Sequence, residues 1–522
     1  MSRSTLGLAG RVARAFIDNK LTPLFVLAAL AIGGFAVVMT PREEEPQIAV
    51  PMIDVMVPYP GATAHESEER VAGPLEKLLW EIPGVDYVYT TSGPSYALAI
   101  VRFKVGQDAE DSAVKVHTKL MAHPEIIPAG AGPATVTPKG IDDVPIVALT
   151  VWSENLDSAA LRKVGEEMAL EIRKIPDISE VTIIGGERRE LTVRLDAGRL
   201  QTSGLSALQV SQALQQGNWS LPAGSLTANN QEVLMSAEGA LRTAADVRKV
   251  VVGVRGGRTV LLGDVADISD GAAERQTYVL FGAGPEGALK HIDGKPVDAP
   301  AITLAIAKKP GSNAVVLAKT IEHRLAAMEK TLLPSDVHVT FTRNYGETAQ
   351  EKSNELIFHV LVATFAVVLL MLFALGKREA LVVAVAVPVT LALTLAASSA
   401  MGYTLNRVTL FALVFAIGIL VDDAIVVVEN IHRHFKMGHA DRKLAAVFAT
   451  DEVGNPTILA TFTVIASLLP LAFVGGLMGP YMRPIPVGAS FAMLFSAFIA
   501  FVVSPWAFVK VLERWPFGTR FT

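Results

Sequence analysis

Six long apolar runs constrain this chain more than any other feature. A helix needs about 20 mostly apolar residues to cross the roughly 30 Å hydrocarbon core of a bilayer. Runs of that kind fall at about 21–40, 356–375, 380–400, 408–430, 456–477 and 485–509. The first is too long for the apolar part of a signal peptide, and Met39-Thr40-Pro41-Arg42 is a poor cleavage site, so it reads as an uncleaved anchor. Residues 41–355, between the first and second runs, are too polar for the bilayer. Hydrophobic residues make up 51% of the chain and charged residues 19%, which requires a sizeable water-facing part beside the apolar one. At 522 residues the chain is long enough for roughly two to four domains.

Positive charges in short loops mark the cytoplasmic side of a membrane protein. Arg3, Arg11, Arg14 and Lys20 precede the first run, Lys377 and Arg378 separate the second from the third, and Arg433, Lys436, Arg442 and Lys443 separate the fourth from the fifth. Lys510, Arg514 and Arg520 follow the sixth, whereas the intervening loops hold only Arg407 and Arg483. Both ends are therefore expected inside, with a cytoplasmic N-terminal helix at 1–20, a cytoplasmic tail at 510–522, and residues 41–355 outside. A net charge of −5 provides no general basic surface, which excludes a nucleic-acid partner. The chain has no cysteine, so disulfides, thiolate metal sites and cysteine nucleophiles are excluded too.

The external part alternates strands with amphipathic helices. A strand at about 48–57 leads through Pro60-Gly61-Ala62 into a helix at 63–81, two strands near Val85–Tyr89 and Tyr96–Phe103, and a helix near 108–122. A similar unit runs from Pro145–Trp152 through a helix at 158–174 to Val181–Ile184 and Glu190–Leu195. Ile82-Pro83-Gly84-Val85 and Ile175-Pro176-Asp177-Ile178 take the same place in the two units, which predicts an internal repeat of βαβ type. Residues 186–275 form a different block, with a helix around 206–215. A last strand–helix–strand, from Ala301 through 314–330 to Val337–Thr342, returns to the membrane. Glu43-Glu44-Glu45 reads as a solvated turn. His432, His434 and His439 read as surface histidines, because their spacing fits no familiar metal motif. No phosphate loop, HExxH helix or Gly-x-Ser-x-Gly elbow is present, so the chain is expected to be no enzyme and to use no cofactor.

The informative segment is Phe415 to Asn430, where Asp422 and Asp423 interrupt an otherwise apolar run. On a helix Asp422 lies roughly 23 Å from Arg407 and about 12 Å from Asn430. A charge at that depth costs roughly 3 kcal/mol or more, so the acids must face the bundle interior, carry protons, or meet a cation. Low dielectric and an adjacent carboxyl both favour the neutral acid, which suits a carboxyl that takes up and releases protons. A structural hydrogen-bonded pair is the bland alternative. An intramembrane aspartyl protease is disfavoured, because adjacent residues on one helix diverge by about 100°. None of the other five apolar runs contains an Asp or Glu, and none of the six contains a Lys or Arg. A fixed cation for the pair must come from another polypeptide.

Gly418-x-x-Val421-Asp422-Asp423-Ala424 through Glu429-Asn430 resembles the fourth-span signature of the resistance–nodulation–division (RND) efflux permeases, in their hydrophobe/amphiphile, AcrB-like branch. Pro41-Arg42-x-Glu44-x-Pro46, Pro60-Gly61-Ala62 with Pro74-Leu75-Glu76, Ile82-Pro83-Gly84-Val85 and Gly479-x-x-x-Arg483-Pro484-Ile485-Pro486 extend the likeness along the chain. The resemblance implies a polytopic α-helical inner-membrane protein with six transmembrane helices. It also implies a large periplasmic α+β domain of βαβ, ferredoxin-like porter subdomains between helices 1 and 2. Residues 41–185 and 276–355 correspond to porter subdomains with the return to the membrane, 186–275 to a docking subdomain, and 356–509 to the remaining five spans. Asp422 and Asp423 match the proton-relay acids. The implied machine is a homotrimer that exports amphiphiles in exchange for protons, with a periplasmic adaptor (membrane fusion protein) and an outer-membrane channel.

Three departures accompany the likeness. Family members are usually about twice as long, so this chain is expected to be the N-terminal half. A C-terminal half-transporter chain or a second copy would complete it, unless it is an inactive truncated fragment. Val144 and Ile184, which match positions that line the family's substrate pocket, are aliphatic rather than aromatic. The docking arm around Ser225–Glu232 is expected to be short. A SecDF-like accessory, using the proton gradient to act on a polypeptide, is the alternative function. The length of the external domain argues against it.

Overall fold

The computed structural model describes the chain except for residues 1–5, 45, 47–49, 141–142, 229–230, 286, 288–291, 293–295, 438–440, 477 and 515–522. Six helices are long and apolar enough to cross a membrane: Leu21–Met39, Tyr345–Ala374, Lys377–Ala400, Arg407–Lys436, Arg442–Phe473 and Met478–Val511. Each coincides with a predicted apolar run, but the second, fourth and fifth extend well past theirs. Capping, not hydropathy, sets the starts of the second and fifth. The side chain of Asn344 accepts from the Glu347 N–H at 3.1 Å, and Asp441 accepts from Lys443 and Leu444 at 3.0 and 3.1 Å. The third, fourth and sixth spans are more than half buried and form the bundle centre, whereas only 6% of the second and 11% of the fifth are buried.

A short helix, Leu8–Phe16, precedes the first span. Asp451 of the fifth span caps it, accepting from the Gly7 and Gly10 N–H groups at 3.1 and 3.0 Å. The first span crosses the third at Gly33. A Cβ there would stand 2.3 Å from the Ala392 Cβ and 2.8 Å from its carbonyl oxygen, while the adjacent Gly34 faces open space. Small residues let two membrane helices approach to backbone contact.

The external domain is built from two units of the same connectivity. In the first, β1 (Met52–Pro58), β2 (Val85–Gly93), β3 (Tyr96–Phe103) and β4 (Thr135–Lys139) form an antiparallel sheet in the order β2-β3-β1-β4. Alternate residues Val55, Val57, Ala97, Ala99, Val101 and Phe103 are fully buried under the helices of the unit. The first helix does not run unbroken over 63–81. Ala64–Ser67 and Gly73–Trp80 flank a wide turn at Glu68–Ala72, in which the Gly73 N–H reaches back to Glu68. Pro74, which lacks an N–H, follows directly, and the wide turn absorbs the missing bond.

The second unit holds β5 (Val147–Trp152), β6 (Ile178–Ile184), the long strand Ala299–Lys308 and the return strand His338–Asn344. The long strand pairs with β5 and β6 on its two sides, and the return strand pairs with β5. The order is therefore that of the first unit. The sequence pattern predicts Glu190–Leu195 as the next strand of this unit, and here the structure differs. Arg189–Leu195 pairs with Ala266–Ala272 inside the 186–275 block, and the hairpin partner of β6 lies more than a hundred residues later. Period and turn residues give no sign that a block has been inserted between paired strands.

Three polar contacts close the neck of that block. The Arg275 guanidinium pairs with Glu187 and donates to Ser158 Oγ at 2.7 Å, and Ser158 Oγ donates to Glu187 at 2.6 Å. Burial pushes the Glu187 carboxyl up, but the hydrogen bonds from Ser158 and Arg275 outweigh it and hold the group below its ordinary value of 4.5. Inside the block, strands Ser220–Ala228 and Gln231–Glu238 form a hairpin arm.

The two loops singled out as equivalent are equivalent in space. Gly84 (φ +96°) and Asp177 (φ +71°) both adopt the left-handed conformation. The Lys104 N–H donates to the Gly84 carbonyl at 2.9 Å, and the Lys309 N–H to that of Asp177 at 2.7 Å. Each contact follows directly on the third strand of its unit.

Two outcomes are expected. Gly33→Val should lower the thermal midpoint of the purified protein, by an overpacking cost of about 1–3 kcal/mol, while Gly34→Val should leave it nearly unchanged. Because folding lowers the pKa of Glu187, its contribution is present above pH 4.5 and fades as the pH falls through the lower native value. Hydrogen exchange in residues 186–190 and 270–276 should accelerate over that acid range, and Glu187→Gln should remove the pH dependence.

Candidate functional site

The fourth span starts at a strong local signal. Asn406 accepts from the Val408 and Thr409 N–H groups at 3.0 Å each, and Thr409 Oγ1 accepts from the Asn406 N–H at 3.0 Å. From there the helix runs through the middle of the bundle, with Leu413, Ala416, Ile417, Leu420, Val421, Ala424 and Val427 buried. One stripe is left exposed: Phe411, Phe415, Gly418, Asp422, Val426 and Glu429, spaced three or four residues apart.

The two acids therefore separate. Asp423 is only 6% exposed and borders Ser496 of the sixth span. Its neighbour Ala424 packs against Val26, Ala386, Val389, Ile499 and Val503 from the first, third and sixth spans. The Ser496 hydroxyl donates its one proton to the Leu420 carbonyl at 2.5 Å, and the Asp423 Oδ2 atom has no hydrogen-bond partner. Asp422, one residue earlier, lies on the exposed stripe. Among the described residues no Lys or Arg approaches either acid within ion-pair distance. A buried carboxyl with no cation at ion-pair distance among the described residues is chemically suited to exchanging a proton.

Polar groups continue along the same helix toward its C-terminal end. Asn430 donates to the Ala449 carbonyl at 2.7 Å and to Glu452 at 3.2 Å, and Glu452 also meets Arg433 at 2.8 Å and His434 at 2.7 Å. On the other side, His432 contacts Glu379 at 2.5 Å, and the Glu379 side chain is only 4% exposed. Glu379, Glu429, Asn430, His432, Arg433 and Lys436 line a cavity of about 760 Å³ at this end. The surface reading of the histidines is thus corrected for two of them. The fourth helix extends beyond its apolar run, so His432 and His434 lie on a packed helix rather than in a loop, while His439 lies outside the described residues. Glu379 escaped the sequence reading because it falls one residue before the third apolar run.

The acidic run after the first span is corrected as well. Glu43 is 5% exposed and its carboxylate meets the Lys308 ammonium at 2.9 Å, while Glu45 lies outside the described residues. Of the residues matched to a substrate pocket, Val144 is 44% and Ile184 49% exposed. Ile184 pairs with Thr303, whereas Val144 precedes Ile146, which bonds to Ile306 at the other end of the sheet. The structure does not bring them side by side. On the face that Ile184 shares with Thr303 and Thr150, Trp152 instead stacks between Phe281 at 4.8 Å and His338 at 4.5 Å. Three strands distant in sequence assemble that stack, so no local pattern announces it.

The profile of the AcrB/AcrD/AcrF family matches residues 12–517. "Multidrug resistance protein MdtC" of Yersinia enterocolitica serotype O:8 / biotype 1B is 29% identical over 509 residues, which are 97% of this chain and 48% of that protein. The protein of the same name from Yersinia pestis bv. Antiqua (strain Angola) is 29% identical over 510 residues, again 97% of this chain and 48% of the relative. The chain spans about half the length of the curated relatives it matches.

The exposure difference between the acids is directly measurable, because the chain has no cysteine of its own. Asp422→Cys in the purified chain should react with a small maleimide at least about tenfold faster than Asp423→Cys, as expected for an accessible against a buried thiol. Equal rates would show that the two side chains share one environment.

Proposed function

Because the chain belongs to the AcrB/AcrD/AcrF family, we propose that it is one half of an RND efflux permease that exports hydrophobic or amphiphilic compounds in exchange for protons. The observation that carries this reading is the placement of Asp423 and Asp422. One is enclosed by the bundle without a cation, and the other stands on an open stripe of the same membrane helix. An acid facing hydrocarbon costs several kcal/mol, so the stripe calls for a covering partner, and a cation on that partner would complete the pair. Asp423 would take up the proton, and Asp422 would hold the partner's cation until protonation releases it. The partner is a C-terminal half-transporter chain or a second copy of this one.

On this reading the two sheet units are ferredoxin-like porter subdomains on the periplasmic face of the inner membrane. The inserted 186–275 block is the docking subdomain. Substrate would pass along the sheet faces that carry Ile184 and the Trp152 stack, with Val144 at the rim. Assembly would be homotrimeric, with a periplasmic adaptor and an outer-membrane channel. The match along nearly the whole chain to permeases named for multidrug resistance supports efflux over a protein-export accessory.

The test is release of a fluorescent amphiphile from proteoliposomes containing the chain under an imposed pH gradient. Gradient-dependent transport should be abolished by Asp423→Asn and Asp422→Asn while the protein still folds and inserts. Transport in the chain alone would assign the second half to another copy, and its absence from well-folded protein would assign it to a different polypeptide. Wild-type transport in both Asn variants would overturn the proton-relay role.

A further inference from the structure

The two units of the external domain serve as controls for one another, and at one position they disagree. Phe103 ends the third strand of the first unit and is fully buried. Lys308 ends the third strand of the second unit and is 6% exposed. The following turns match residue by residue. Lys104 and Lys309 donate to the left-handed Gly84 and Asp177, Gly106 and Gly311 both have positive φ, and Asp108 and Asn313 cap the next helix. The fold thus accepts an apolar residue at this position, and in the second unit it holds an ammonium instead. Burying a charge costs free energy that a pair only partly returns, so stability alone does not account for the exchange.

Lys308 Nζ meets Glu43 Oε1 at 2.9 Å. Glu43 belongs to the segment leaving the first span, and that segment is pinned to the entry of the fourth. The Glu43 N–H donates to the Leu405 carbonyl at 3.1 Å, the Leu405 N–H donates to the Pro41 carbonyl at 2.9 Å, and Arg42 bridges Leu405. Asn406, the next residue, caps the fourth span. At the other side, Lys308 ends a strand hydrogen-bonded to both β5 and β6. The same end of this sheet has a second, covalent attachment. The return strand passes at Asn344 directly into the second span, where the Tyr345 N–H bonds to the Ile146 carbonyl at 2.8 Å.

We propose that the buried Glu43–Lys308 pair is a coupling strut that transmits displacement of the fourth span to the second porter sheet. With one anchor on the second span and one on the fourth, a shift of the fourth span relative to the second tilts the sheet. An apolar contact at Lys308 would slide, whereas a directed ion pair in a dry site transmits movement in both directions. Both residues act through other groups and are positioning residues. The inference rests on the proton-relay reading of Asp423.

The experiment is hydrogen exchange by mass spectrometry on the full chain in nanodiscs, comparing Asp423→Asn with its parent in several backgrounds. In the otherwise wild-type chain, Asp423→Asn should change exchange in 404–410 and in 299–331, each by a factor of at least about 5, the lower end for coupled sites. In Lys308→Met, and in the double variant Glu43→Gln/Lys308→Met, the 404–410 response should remain and the 299–331 response should vanish. The double variant removes both charges of the pair and keeps the test valid if Lys308→Met alone fails to fold. Charge reversal, Glu43→Lys/Lys308→Glu, should restore the response. A merely structural role would shift exchange in 299–331 equally with and without Asp423→Asn, and that result overturns the strut. An undiminished 299–331 response in the double variant overturns it as well. A silent 404–410 in the otherwise wild-type chain overturns the proton-relay reading, and the strut with it.

Discussion

The penalty for placing charge where water cannot reach is the constraint on which this structure depends. It decides how the fourth span packs. Asp423 is buried beside Ser496 of the sixth span, and its Oδ2 atom has no hydrogen-bond partner. Elsewhere the same penalty is met by pairing. Glu43 meets Lys308, and Glu379 meets His432. Asp423 differs in having no cation at ion-pair distance among the described residues.

The external domain shows how a repeated unit diverges without losing its fold. Both units use the same strand order, the same left-handed turn after the first helix and the same capped second helix. The second unit differs by insertion and by polarity. A block of about ninety residues enters between its second and third strands, with Glu187 and Arg275 closing the neck. Its open sheet face is lined by Thr150, Thr303 and Thr342, hydrogen-bonded together, beside the Trp152 stack. The sheet tolerates such a face because cross-strand neighbours satisfy each hydroxyl.

Burial in the membrane bundle is lopsided. The third, fourth and sixth spans hold the core, while the second and fifth present most of their surface outward. The outward stripe of the fourth span combines Phe411, Phe415, Gly418 and Val426 with Asp422. A lipid-facing surface would exclude the acid, and a water-facing surface would not favour the aromatics. On the proposed reading, a partner's packed helix carrying a cation satisfies both.

Much of the architecture was legible in the chain. Spans follow from runs of apolar residues, because the bilayer reads composition over about 20 residues and little else. Helix starts at Asp108, Asp157, Ser206 and Asn313 follow from caps, and the internal repeat from two matching turns, because these are interactions between residues near in sequence. Asp422 and Asp423 stood out for the same reason, as polar residues in an apolar run. What the sequence could not decide is which partner each polar group finds. The hairpin partner of β6, the burial of Glu43 against Lys308, the engagement of His432 and His434, and the assembly of Trp152 with Phe281 and His338 all join residues far apart in the chain. Which acid faces inward was also left to packing. Adjacent residues on a helix differ by about 100° in direction, and only the neighbouring helices determine which direction is the interior.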